Sequence, residues 1–402
     1  MTPLAAAIVA MLIQQSLMTM TTSAIPALWK FIGPEFSLGD ERIAIYSLMV
    51  YTVGFFSSSA AGSATIRLGP LRASQICLSA AAAAMLAASA GIFWAIVPSA
   101  FLLGVGMGPS TPASSQVLAR FSTPGRAPLV FSIKQTGVPV GGFLAGAVLV
   151  PIAEATSWRT ALFLAGLAAA AAAIWMQRFH DRFDDQRQPG RRISIADIGI
   201  SFRAATATPA LRKLAFAGFA FSGLQICFMY YFIAFAVTDI GLDRVTAGQV
   251  YGAASLVAIA GRVFWGYLAG AYVPPRTLLI LLSVAMFVSA AAIGMATPEW
   301  GIYGLGAAAV AFGATGVSWN GVHLAEAAKQ APPDQVPVIM GGIISCCFLG
   351  LITLPALFGA VFVASGMTGI GFAVIAAPSL LCALFFAWPE RPRPDGEAPS
   401  PR

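Results

Sequence analysis

Charge is what this chain has least of. Of its 402 residues only 10% are Asp, Glu, Lys or Arg, against about a quarter in a soluble domain. A chain this poor in charge and 58% hydrophobic cannot cover itself with a water-soluble surface. Carboxylates are the scarcer sign, 16 against 23 basic residues, and histidine occurs twice. The five cysteines, Cys77, Cys227, Cys346, Cys347 and Cys382, lie in apolar stretches without CxxC spacing. They read as free buried thiols and not as a disulfide framework or metal site. There is no phosphate-binding glycine loop, metal-ligand cluster or nucleophile-plus-base spacing, so the sequence offers no enzyme or nucleotide-driven pump, no cofactor and no metal. The N-terminus has no charged segment before its apolar run and reads as a first membrane helix, not a cleaved leader.

Long apolar runs are present throughout, and the mean hydropathy is +0.81. A helix needs roughly 20 apolar residues to cross a bilayer. Breaking the chain at charge, Pro and Gly clusters predicts twelve membrane helices, at 4–28, 43–66, 73–94, 98–118, 127–150, 160–177, 214–237, 247–269, 277–296, 302–325, 338–363 and 368–388. The longest polar stretch falls between the sixth and seventh. The predicted organisation is an N-terminal six-helix bundle (1–178), a linker (179–212), a C-terminal six-helix bundle (213–388) and a polar tail (389–402). The net charge of +7 is spread through loops, the pattern of membrane orientation and not of nucleic-acid binding. One side collects Arg67, Arg72, Arg120, Arg126, the linker, Arg276, Lys329 and the tail arginines; the other holds Lys30, Arg42, Arg159 and Arg244. The first side is therefore expected to be cytoplasmic, with both termini there, in a cell membrane such as a bacterial inner membrane.

The halves echo each other. "GSATIRLGPLR" (62–72) and "GYLAGAYVPPR" (266–276) each follow the second helix of their half, pairing Gly62 with Gly266 and Arg72 with Arg276. On these residues the chain resembles the major facilitator superfamily. Its signature G-x-L-A-D-R-x-G-x-R is matched by Gly62, Arg67, Gly69 and Arg72, and "GRVFWGYLAG" (261–270) is similar to the second-half copy. The resemblance implies an all-α membrane protein, two six-helix bundles related by a pseudo-two-fold axis, and transport by alternating access. It also marks a departure: the signature acid is Ile66 in the first copy and Gly270 in the second, so its gate-locking role is unassigned.

Polar residues inside apolar helices are costly and usually functional. Lys134 lies about 10 Å into the fifth helix, beside Gln135. It either faces a wet cavity or snorkels to the interface. Arg262 lies about 12 Å into the eighth. It either offers its planar fork to a carboxylate or bonds backbone carbonyls as a structural residue. An arginine there resembles the carboxylate-binding arginine of monocarboxylate transporters, whose acidic partner one turn earlier is Ala258 here. Gln15, Tyr230 and Asn320 are further candidate cavity residues, with packing as the alternative. His323 and Glu326, three apart, form either a proton site or an ordinary helix end with Lys329. Glu35, Asp40, Glu41 and Glu154 are expected in loops, which leaves the first six helices without a carboxylate.

These readings together predict a secondary transporter of a small organic anion, a carboxylate by preference, with a possible proton-coupled symport and a monomeric working unit. Efflux of amphiphilic compounds is the alternative, and a receptor without transport a third class.

Overall fold

The computed structural model describes residues 2–39, 42–194 and 196–388. The loop acids Asp40 and Glu41 and the 389–402 tail lie outside them. Among the described residues there are helices and no strands. Twelve spans are long and apolar enough to cross a bilayer: Pro3–Glu35, Arg42–Leu68, Pro70–Ser89, Phe93–Phe121, Ala127–Ala155 and Trp158–Phe183 in the first half, then Pro209–Thr238, Arg244–Ala271, Pro275–Gly294, Pro298–Gln330, Val336–Ser365 and Thr368–Ala387. They are called spans 1 to 12 below. Their 20–33 residues correspond to about 30–50 Å of helix.

Local chemistry explains where the helices start. Proline stands in the first turn of spans 1, 3, 7 and 9, where the missing N–H would have had no partner. Thr208 accepts Leu211 N–H at 3.2 Å, and Asp243 accepts the N–H groups of Val245 and Thr246 at 3.0 Å each. Glycines let helices meet. A Cβ on Gly350 of span 11 would lie 2.0 Å from the Phe219 carbonyl of span 7, and one on Gly313 of span 10 would lie 2.2 Å from that of Ala254 in span 8.

One sequence expectation needs correction. Glu35 and Glu154 are not loop residues. They close the last turns of spans 1 and 5, where Lys30 binds Glu154 at 2.6 Å and Arg159 and Trp158 bind Glu35. Apolar-run counting stopped short because these carboxylates are neutralised by partners distant in sequence. The linker carries a helix, Asp197–Ala205, and Ser201 Oγ donates to the Ser59 carbonyl of span 2 at 2.7 Å. Spans 5 and 10 are interrupted. Span 5 changes from Ala127–Gln135 to Gly137–Leu144 at Thr136 and carries a π-helical turn at Ala145–Leu149. Span 10 breaks between Gly301–Gly316 and Asn320–Gln330.

The six-helix halves touch on the side of the linker. Ser58 Oγ of span 2 donates to Gly341 of span 11 at 3.1 Å, and the Ser59 and Ser345 hydroxyls meet at 2.7 Å. Spans 5 and 8 approach at Gly270, where a Cβ would lie 2.3 Å from the Gly125 carbonyl. Toward the other face the same two helices diverge. Built Cβ atoms on Gly142 and Gly146 of span 5, and on Gly248 and Gly252 of span 8, meet nothing within 4 Å. Spans 5 and 8 are thus in contact toward the linker face and open toward the far face.

Candidate functional site

The break in span 5 is written in its sequence. Pro139 has no N–H to give to the carbonyl four residues earlier, that of Gln135. Lys134 and Gln135 therefore sit at a helix discontinuity in the linker-side third of span 5. Lys134 is buried at 1% exposure. Its Nζ donates to Gln15 Oε1 of span 1 at 2.5 Å and to Gln135 Oε1 at 3.4 Å. Gln15 in turn donates to Thr19. The adjacent amide, Gln14, faces the other way and binds Ser110 of span 4, as the 100° step between helix neighbours requires.

Arg262 of span 8 is fully buried, at 0% exposure. Its Nη1 donates to the Gln135 carbonyl. Its Nε donates to the Val317 carbonyl at 3.1 Å, inside the interruption of span 10. Its Nη2 is buried without a partner. Lys134 and Arg262 thus both bond Gln135, one at its side chain and one at its carbonyl. No Asp or Glu among the described residues forms an ion pair with either. This pairing of two buried cations around one glutamine is the centre of the candidate site, and Gln135 is its shared member.

The other candidates make separate contacts. Tyr230 of span 7 is 45% exposed, and its hydroxyl meets that of Tyr51, in span 2 of the opposite half, at 3.3 Å. Asn320 opens the second segment of span 10, with Oδ1 buried and unpartnered. His323 and Glu326 are not brought together as a pair. His323 is buried inside the C-terminal half, with Nε2 2.8 Å from the Leu214 carbonyl and its ring edge-on to Trp319. Glu326 accepts from Gln330 at 2.7 Å and has its other oxygen buried without a hydrogen-bond partner. It lines a cavity of about 1000 Å³ at the linker face, with Thr65, Gln116, Arg120, Arg187 and Lys329.

The signature residues fall into two kinds. Gly62 and Gly266 are contact points between halves: a Cβ at Gly62 would come 2.7 Å from Val338 of span 11, and one at Gly266 would come 2.3 Å from Ser132 of span 5. The sequence echo is therefore also a spatial echo, span 2 on span 11 and span 8 on span 5. Arg276 binds the Phe386 and Trp388 carbonyls at 2.7 Å each, pinning span 12. Arg67 is exposed. Gly69 has φ +97°, a conformation that favours glycine, and Arg72 N–H donates to Asp184.

Sequence reading missed two participants: Ser132 fills the contact with Gly266 and Gly321, and Val317 supplies a carbonyl. Gln225 of span 7, a candidate for hydrogen bonding by sequence, accepts from Trp319 at 3.0 Å. A main-chain acceptor leaves no residue-type signal. Pro139 did carry one, since it marks which carbonyl loses its N–H.

Comparison with known proteins agrees with this architecture. The family model for the Major Facilitator Superfamily matches residues 10–329. No curated protein matches the sequence. Among solved structures, the human organic anion transporter MFSD10 (TETRAN) superposes with a TM-score of 0.79 at 14% identity, covering 96% of this chain and all of its own. The proton:xylose symporter XylE, bound to 6-bromo-6-deoxy-D-glucose, gives 0.76 at 13% identity, covering 95% and 94%. FucP in the outward conformation gives 0.73 at 14%, covering 96% and 99%. At such identities the likeness concerns the fold alone. With most of its length matched by the family model, the chain belongs to the Major Facilitator Superfamily, whose members are transporters and not enzymes.

Proposed function

We propose that this transporter moves a small organic anion, a carboxylate by preference, by alternating access across a cell membrane. One observation carries the reading: Lys134 and Arg262 are buried together around Gln135 without a carboxylate partner among the described residues. Like charges repel in a medium of low dielectric. An anion between them relieves the repulsion, and the unpartnered Nη2 of Arg262 offers it a charge-assisted bond. That MFSD10, which shares this fold, is an organic anion transporter is in keeping with this cargo. Gln15, Gln135, Tyr230 and Asn320 supply neutral polar contacts in the same reading.

In this reading the arginine-rich linker face is the cytoplasmic one, as the positive-inside rule favours, and the contact of spans 5 and 8 at that face is in keeping with an outward-facing form. The proton-linked form of the proposal rests on Glu326 and not on a His323–Glu326 pair, because the two side chains face different neighbours. The working unit proposed is the single chain.

The test is thermal unfolding of the purified protein with a panel of monocarboxylates and dicarboxylates and with neutral lipophiles of similar size. A ligand at 100 times its Kd stabilises by about 2.7 kcal/mol. Carboxylates are expected to raise Tm, and Lys134→Ala or Arg262→Ala to abolish the rise. Stabilisation that survives both substitutions, or that neutral lipophiles produce equally, refutes the anion site; the latter outcome would favour efflux of amphiphiles.

A further inference from the structure

One buried guanidinium is bonded to two helix interruptions, one in each half. Arg262 of span 8 reaches Gln135 at the break of span 5 and Val317 at the break of span 10. It lies about 14 Å from the linker end of its own helix. Between it and that end, the two halves meet through small groups: Ser132 against Gly266 and Gly321, and Gly125 against Gly270. Those contacts are close but carry no charge. The Arg262–Gln135 bond is the charge-assisted one, and such bonds are about twice as strong as neutral ones. Its acceptor exists because of a single residue. In an unbroken helix the Gln135 carbonyl would be taken by the N–H at position 139, and proline has none.

We propose that Pro139 is the residue that builds the linker-side gate. By withholding one N–H it leaves the Gln135 carbonyl for Arg262, which then ties spans 5, 8 and 10 together while the far face is open. The bond also makes the gate responsive to cargo, a step that rests on the anion reading above. An anion that engages the unpartnered Nη2 competes with a neutral carbonyl for the same guanidinium. Charge against charge favours the anion over the carbonyl dipole. When Arg262 turns to the anion, the carbonyl tie between halves is lost and the small-residue contacts are free to part. Arg262 is thereby both the ligand's partner and the latch, and Pro139 is a positioning residue that never touches cargo.

The gate can be tested without any anion. Hydrogen exchange is followed in the linker-side segments 127–135 and 262–271 and in the far-side segments 142–155 and 244–252 of the full-length protein. Pro139→Ala restores the missing N–H; Arg262→Gln removes the charged donor. Each is expected to raise linker-side exchange about tenfold and to slow exchange at the far face. Pro378→Ala, which removes a helix proline from span 12, is expected to change neither. Unchanged linker-side exchange in either folded variant overturns the proposal. So does opening by Pro139→Ala but not by Arg262→Gln, which would make the proline a bend and nothing more. Where Pro139→Ala does not fold, Pro139→Leu, which also restores the N–H, takes its place beside Arg262→Gln, and both variants are expected to open. Only a gate that opens in both and then fails to open further when benzoate is added to the parent separates failure of the anion reading from success of the latch.

Discussion

Asp184 stands where a side chain on Gly69 would begin: an ideal Cβ at Gly69 would lie 2.3 Å from the Asp184 carboxyl carbon. Its two oxygens accept the N–H groups of Leu71 at 2.7 Å and Arg72 at 2.9 Å, the open donors at the start of span 3. The signature loop lacks its acid at Ile66, and a carboxylate from beyond span 6 occupies the adjacent helix end. The strap continues with Asp185, which binds Arg120 of span 4 through both oxygens.

Asp184→Ala is therefore expected to lower stability by about 0.5–2 kcal/mol, the usual cost of losing a helix cap. Gly69→Ala combines a strained φ with the clash and should cost more. Thermal unfolding in detergent checks both, and an unchanged Tm for Gly69→Ala would contradict the contact.

The two neighbouring carboxylates should respond to pH in opposite senses. Burial pushes the Asp184 carboxyl up from its ordinary value, against the pull of the Leu71 and Arg72 N–H groups. The folded state then holds its proton more tightly than the unfolded one, so acidification through that raised value favours folding. The Arg120 hydrogen bond holds Asp185 below the usual range. Its contribution is present above the unfolded value near 3.9 and is lost as pH falls through the lowered one. Asp185→Asn should be less stable than the parent at pH 7 and converge with it as pH falls through the lowered value; parallel curves on acidification would be the wrong result.

Adding one methyl group at the interface should move the conformational balance. A Cβ at Gly266 meets Ser132 Cβ at 2.5 Å and the Pro128 carbonyl at 2.8 Å, so Gly266→Ala is expected to wedge spans 5 and 8 apart at the linker face. Accessibility of a cysteine placed at Ser132 to a membrane-permeant thiol reagent should increase. The same reactivity in parent and variant would mean the halves accommodate the methyl.

Glycines at the parted face should tolerate the same change. Gly142→Ala and Gly146→Ala meet nothing within 4 Å and should gain about 0.5–1 kcal/mol of helix stability each. Gly350→Ala, facing a carbonyl at 2.0 Å, should lose stability. A loss of Tm at 142 and 146 comparable with that at 350 would mean those positions are packed.

The twelve spans and the repeat were legible because hydrocarbon imposes length and composition on any helix that crosses it. Gly62 and Gly266 were legible as equivalent, and the structure gives the reason in matching contacts between halves. Lys134 and Arg262 stood out because charge is rare in apolar runs. Their common partner did not, since Gln135 takes part through a carbonyl as well as a side chain. His323 and Glu326 looked like one unit by spacing; the packing of span 10 directs one to span 7 and the other to the linker-face cavity.

Sequence by itself determined what every segment must do in a bilayer, where the chain is punctuated, and which residues are too costly to be there without cause. Those properties belong to each residue and its near neighbours. Tertiary structure alone decided that Asp184 serves the loop deprived of its acid, that the linker folds a helix against spans 2 and 11, and that Arg262 finds its acceptors at two broken helices. Such pairings join groups as far as 142 residues apart. Half of the atoms involved are main chain, which is the same in every residue and so leaves no trace in the order of side chains.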